Sequence, residues 1–208
     1  MAGLALDHVF VFVEPGAFRR RHAGQGTTNV CYCFDDAYLE LIWEVEAGEL
    51  DSAAVAAIGL PARARWRRTG ASRLGIALRG GEAPPFAARP YAAPFLPPGG
   101  IIPVAEASRD PAQPFLFWMP GGRPPATWTD GRAGERQRAA GLATVAGLEV
   151  RFTPAAPPHP DLAALAAAGL LTLVEAPAPG LVLTLAGDDG RTARRLLLPE
   201  LAWLDPEG

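Results

Sequence analysis

Residues 4–13 read LALDHVFVFV, an apolar run rich in β-branched and aromatic side chains that stops at Glu14-Pro15-Gly16. The pattern predicts a first strand closed by a turn. Two further β-prone runs, TNVCYCF at 28–34 and AYLELIWEV at 37–45, are separated only by Asp35-Asp36 and predict an antiparallel hairpin. The connector at 14–27 is short and rich in Gly and Arg, so no helix is expected there. Residues 50–58 open with Asp51 and Ser52 as candidate N-caps, continue in alanine and end before Gly59 and Pro61, predicting one short helix.

The middle of the chain is broken repeatedly by Pro and Gly, at 84–85, 97–100 and 121–125, and short apolar runs stand between the breaks at 74–78, 101–104 and 115–119. Runs of that length suit strands rather than helices. Beyond residue 141 the pattern is regular: a strand at 142–152, a helix at 160–168 with Pro at its start and Gly169 after its end, and strands at 170–175, 181–186 and 193–198. That order is β-α-β-β-β. The first third offers strand, connector, strand, strand, and its LDHV at 6–9 aligns weakly with LATV at 142–145. The expected organisation is a first module at 1–60, a Pro/Gly-rich middle segment at 61–135 whose strands complete the sheet, and a second module at 136–208.

Composition changes the picture by exclusion. Of 208 residues, 49% are hydrophobic and 20% charged, as in folded domains and unlike disordered chains. The net charge of −3 gives no basic face for a nucleic acid. All 19 basic side chains are arginine, which excludes lysine Schiff bases and lysine-bearing phosphate loops. No apolar run is long enough to predict a membrane span, and no basic leader precedes the first strand. Cys31 and Cys33 sit two apart in a predicted strand, where bonding to each other would be strained, so free thiols and a cytoplasmic location are expected.

LDHVFVFV, HAGQGTTN and AYLELIWEV, in this order, resemble the opening of glyoxalase-like domain proteins of the vicinal oxygen chelate superfamily; PFAARPYAAPFLPP and PFLFW resemble the same group more loosely. The resemblance implies an α+β fold of paired βαβββ modules, with few short helices and curled mixed sheets around a central pocket. It also implies one divalent metal (zinc, iron, manganese or nickel) held by a His on the first strand and a Glu on a later one. His8 and Glu40 stand at those positions. His22, in the connector, would make a third ligand, and Glu40 would serve as ligand or catalytic base.

Residue chemistry gives partial agreement. Glu40 lies between Leu39 and Leu41 in an apolar strand, and a buried carboxylate requires a partner, whether a metal or an arginine. Catalytic metal sites usually take three protein ligands. The second-module positions that would supply the rest read Thr144 and Leu197 or Leu198, and the middle segment reads FLFW where relatives carry a carboxylate. Gly24-Gln25-Gly26-Thr27 would bring backbone N–H groups close to an anionic ligand. Gln25, Thr27, Asn29, Tyr38 and Trp118 are the expected ligand contacts. The ordinary alternatives are a core histidine at position 8, a loop histidine at 22, a tight glycine turn, and aromatics that are simply core. His159, between prolines, is expected to face solvent. Two functions follow: a metal-dependent lyase, isomerase or dioxygenase of unknown substrate, or a metal-free protein that sequesters a small molecule as bleomycin-resistance proteins do. Either would be a monomer or a homodimer.

Overall fold

The computed structural model describes residues 2–5, 17–189, 193–198 and 202–204. It shows an α+β protein with two sheets and few short helices. The chain divides into two units. The first gathers the N-terminal strand with Arg19–Cys31 and Leu39–Arg123, and the second gathers Tyr32–Tyr38 with Pro124–Gly208.

The first unit is built on eight strands: β1 (Ala2–Ala5), β2 (Ala17–His22), β3 (Thr27–Cys33), β4 (Tyr38–Glu44), β5 (Leu74–Arg79), β6 (Ala88–Tyr91), β7 (Ile102–Ala105) and β8 (Phe115–Met119). Their spatial order is β2-β3-β4-β1-β5-β8-β7-β6. Strand β1 runs parallel to β4, β5 runs parallel to β8, and β1 and β5 meet antiparallel at the centre. Each half therefore places its four strands in the same order, with the first strand of the quartet parallel to the fourth. The matching order lies between β1–β4 and β5–β8, whereas the sequence alignment had paired the first third of the chain with the last.

Strand β2 appears where the sequence predicted no element. AFRRRH is poor in strand formers, but it is an edge strand, and arginines along an edge protect it from pairing with other chains. At the opposite edge β6 carries Pro90, which edges tolerate. Where a single helix is expected at 50–58, the chain forms a run of four short pieces that extends beyond it on both sides: α1 (Ala47–Leu50), α2 (Ala53–Ala56), α3 (Leu60–Ala64) and α4 (Trp66–Thr69). Ser52 is extended and Gly59 left-handed (φ 77°), and each interrupts the hydrogen-bond ladder. Leu50, Val55, Ile58 and Leu60 pack from these helices onto Tyr91, Ala93, Ile102 and Val104 to form the core of this unit, with Phe95, Phe115 and Phe117 at its margin.

One glycine decides how α1 meets the β2–β3 turn. Gly26 has φ +75°, and a Cβ there would stand 2.3 Å from the Glu46 carbonyl oxygen and 2.5 Å from the Leu50 nitrogen. Its own carbonyl accepts from the Val45 and Glu46 N–H groups. Gly26→Ala is therefore expected to destabilise the protein by at least about 2 kcal/mol in urea unfolding, combining left-handed strain with backbone overlap. A loss below about 0.5 kcal/mol would mean the turn relaxes freely.

The second unit holds β9 (Thr144–Phe152), α5 (Pro160–Ala167), β10 (Thr172–Glu175), β11 (Gly180–Ala186), β12 (Ala193–Leu198) and β13 (Ala202–Leu204), in the order β10-β9-β11-β12-β13. Helix α5 joins the parallel pair β9 and β10, as a crossover must. His159 is its N-cap, with Nδ1 accepting from the Asp161 N–H at 3.2 Å, so this histidine has a structural task. Asp35 is held by Arg136 and Arg138, and Asp36 accepts from the Val145 N–H, which fixes the β3–β4 turn within this unit. Cys31 and Cys33 are buried free thiols, and burial pushes the Cys33 thiol up to about 11.

Candidate functional site

Directly paired residues of neighbouring strands share a sheet face, and the strand registers define one row across the middle of the first sheet. Gly3 pairs with Glu40 on one side and Gly75 on the other, and Gly75 pairs with Phe115. Two glycines thus lie side by side at the centre of the sheet, flanked by a carboxylate and a phenyl ring. Three interstrand spacings of about 4.8 Å separate Glu40 from Phe115 along the sheet. The next row on this face carries Ala77, Phe117 and Val104. The other face carries Leu39, Leu41, Ile76, Leu116 and Trp118, all buried.

At the Glu40 end a chain of polar side chains is buried together. His22, Gln25, Thr27 and Asn29 are each under one-tenth exposed, an unusual density for polar groups. They come from the end of β2, the turn after it and the start of β3, so one hairpin supplies them all. Tyr91 donates its hydroxyl to Gln25 Oε1 at 2.8 Å, and Gln25 Nε2 donates to Thr27 Oγ1 at 2.8 Å. His22 Nδ1 meets the same hydroxyl at 2.9 Å. Asn29 Nδ2 lies 2.5 Å from Glu40 Oε1 and 3.3 Å from His22 Nε2.

The backbone fixes the polarity of this chain. The Arg20 N–H donates to Asn29 Oδ1 at 3.0 Å, so the amide group that faces Glu40 and His22 must be the NH2. With two hydrogens to give, Asn29 donates one to Glu40 and one to His22 Nε2. His22 Nε2 is then an acceptor, and its proton sits on Nδ1, directed at Thr27. Burial first, and the Arg20 charge second, pull the imidazole down to about 4, in keeping with a neutral ring. Burial pushes the Glu40 carboxyl above the usual carboxylate range, against the Asn29 hydrogen bond and the Arg20 charge. Phe95 covers the assembly, its ring 4.6 Å from the imidazole and 5.3 Å from the Arg20 guanidinium.

Several sequence expectations meet a clear placement. Glu40, His22, Gln25, Thr27 and Asn29 come together. His8 lies outside the described residues. Trp118 stands on the opposite sheet face, its indole donating to the Gly80 carbonyl at 2.9 Å; the alternation along β8 that sets the half-buried Phe115 and Phe117 on the Glu40 face turns it away. Tyr38 shares the period of Glu40 along β4, but its ring lies 5.9 Å from that of Trp128 in the second unit. The anion cradle expected at 24–27 is filled by the protein itself, since Glu49 Oε2 accepts from the Gly24 and Gly26 N–H groups at 2.9 and 3.1 Å. Tyr91, Phe95 and Arg20 were not expected at the site. Tyr91 and Phe95 lie in the ARPYAAPF stretch, whose resemblance to the same family was the one sequence signal for them.

Fit to a metal ion can be judged from the donors. His22 Nε2 and Glu40 Oε1 are 3.9 Å apart, and a cation between them would face the hydrogens of the Asn29 amide rather than a lone pair. Among the described residues no group of three His, Cys, Asp or Glu side chains converges on one point. The described residues of the site, as arranged, do not fit a metal. Nor, among the described residues, is any helix long and apolar enough to cross a membrane. No family model, curated protein or solved structure matches this chain.

Proposed function

We propose that this protein binds a small, partly apolar molecule on the face of its eight-stranded sheet, in a glyoxalase-like arrangement of two modules, and does so without a metal. The observation that carries the reading is the row Glu40–Gly3–Gly75–Phe115. Glycines at its centre raise no side chain from the sheet floor, Glu40 with His22 and Asn29 gives one polar end, and Phe115 with Phe117 gives one apolar end. Polar anchors at the edge of an apolar surface are the usual composition of small-molecule sites. The two quartets β1–β4 and β5–β8, joined at the antiparallel pair β1 and β5, support a paired-module reading in which the second module has exchanged its carboxylate for Phe115.

Within this reading the ligand carries an oxygen that hydrogen-bonds at Glu40 and a ring or alkyl body that lies over Phe115. Turnover, where it occurs, would use Glu40 as the acid–base group, because burial raises its pKa above the usual carboxylate range and so favours its holding a proton. His22 stays a neutral hydrogen-bonding group. A sequestering protein and a metal-free lyase or isomerase remain the two forms of the proposal, and steady-state assay of any bound compound separates them.

The test is a thermal-shift panel of catechols, 2-hydroxy acids, thiol adducts of α-oxo-aldehydes and bleomycin, run with chelator and followed by calorimetry. A compound that stabilises the protein is expected to lose at least about tenfold in affinity, about 1.4 kcal/mol, in both Glu40→Ala and Phe115→Ala. Unchanged binding in both folded variants would place the ligand elsewhere.

A further inference from the structure

The glyoxalase-like resemblance leads one to expect a divalent ion next to Glu40, yet the donor polarity there runs the other way. We infer that Asn29 is the residue that makes this site metal-free. Its amide nitrogen stands 2.5 Å from Glu40 Oε1 and 3.3 Å from His22 Nε2, so it serves both acceptors as a cation would, with hydrogens in place of charge. The inference rests on the proposed site, and it adds the reason that hydrogen bonding rather than chelation selects the ligand.

Three features hold the amide in that role. The Arg20 N–H fixes Oδ1 and prevents the amide from turning its oxygen toward Glu40. The Thr27 hydroxyl holds the other edge of the imidazole, and the Asn29 N–H directed at Nε2 leaves the ring proton to Nδ1. Asn29 is itself 4% exposed, so water offers no competing partner. Rotation of the amide would leave the Arg20 N–H facing an NH2 and would set an oxygen against a carboxylate; both are unfavourable in a buried setting.

A carboxylate of the same shape reverses the preference. In Asn29→Asp, one oxygen still accepts from the Arg20 N–H, while the other joins Glu40 Oε1 and His22 Nε2 as a third lone-pair donor. Histidine nitrogen and carboxylate oxygen are both zinc ligands, and three such donors on one point leave the open position of a divalent-metal site. Asn29 is thus a specificity-determining residue, one atom away from a metal centre.

The experiment uses the full-length protein and calorimetric titration with Zn2+. Wild type is expected to bind no stoichiometric zinc at this site. Asn29→Asp is expected to take up one equivalent with an affinity higher by at least about 100-fold, the upper end of what outer-shell groups alone contribute. That gain should vanish in Asn29→Asp/Glu40→Gln. As a readout that a merely structural role would not move, imidazole 15N shifts should report the Nδ1–H tautomer of His22 in wild type and a mixture of tautomers in Asn29→Ala. Equal zinc affinity in wild type and Asn29→Asp, lost in Glu40→Gln, would overturn the inference, as would a folded Asn29→Asp that binds none. The ligand panel is run without metal, so its success or failure is independent of these outcomes.

Discussion

Arg63→Ala should lower the stability of the protein by about 4 kcal/mol, measured as a shift in the urea midpoint at constant slope. Arg63 is 2% exposed, and its guanidinium donates to the carbonyls of Ser72, Ser108, Asp110, Pro111 and Gln113. These five acceptors belong to the segments before β5 and between β7 and β8, whose backbones find few partners in a sheet. Removing the donor deprives the two buried acceptors, the Ser108 and Gln113 carbonyls, of this partner, each at a cost of about 1–3 kcal/mol where water cannot enter, and loosens the three part-buried ones. Burial pulls the guanidinium down to about 10, so it remains a cation at neutral pH. A lysine offers three donors from one point and cannot span the carbonyls, so Arg63→Lys is expected to recover less than half of the loss. Phe115 lies 5.6 Å from the guanidinium, so slackening here should also weaken ligand binding at the apolar end of the site. A loss below about 1 kcal/mol would show that these loops are held by other contacts.

The second large effect is a dependence of stability on pH between about 4 and 6.5. His22 falls from 6.5 in the unfolded chain to about 4 in the native protein, chiefly through burial. In that window the unfolded state takes up a proton that the native state refuses, so stability rises with pH and is lost as pH falls through it. The full difference is on the order of 3 kcal/mol. Glu40 acts in the opposite sense: its native pKa is raised, so its contribution favours the folded state most at low pH and fades as pH rises through the native value. His22→Gln should remove the positive slope between 4 and 6.5, and Glu40→Gln should steepen it. A pH profile of urea unfolding unchanged by His22→Gln would mean that the imidazole is reached by water and protonates normally.

Much of the sheet was legible from the chain. Strands β5, β7, β8, β9, β11 and β12 each coincide with a short apolar run between Pro or Gly breaks, because a buried strand needs little more than side chains that dislike water and ends that cannot continue. The helix after Pro160 was legible for the same reason, with its Pro start and Gly169 beyond its end. The edge strands of the first sheet were not legible: AFRRRH and ARPY are stabilised by a neighbour's hydrogen bonds and carry no apolar period of their own. One helix is expected at 50–58 because alanine favours helix, and the pieces at 60–69 carry no such signal, while the breaks at Ser52 and Gly59 depend on how the segment must follow the sheet.

At the site, the sequence by itself determined that Glu40 stands buried in an apolar strand and needs a partner, and that His22, Gln25, Thr27 and Asn29 lie close to it along the chain. Only the tertiary structure decided what the partner is. The register of β1 against β4 and β5 sets two glycines between Glu40 and Phe115, and no local pattern encodes a register between strands so distant in sequence. The direction of the Asn29 amide depends on a single backbone N–H across the β2–β3 hairpin. That bond turns an expected ligand set into a closed chain of hydrogen bonds, because a carboxamide's two ends differ only in what their neighbours can give or accept.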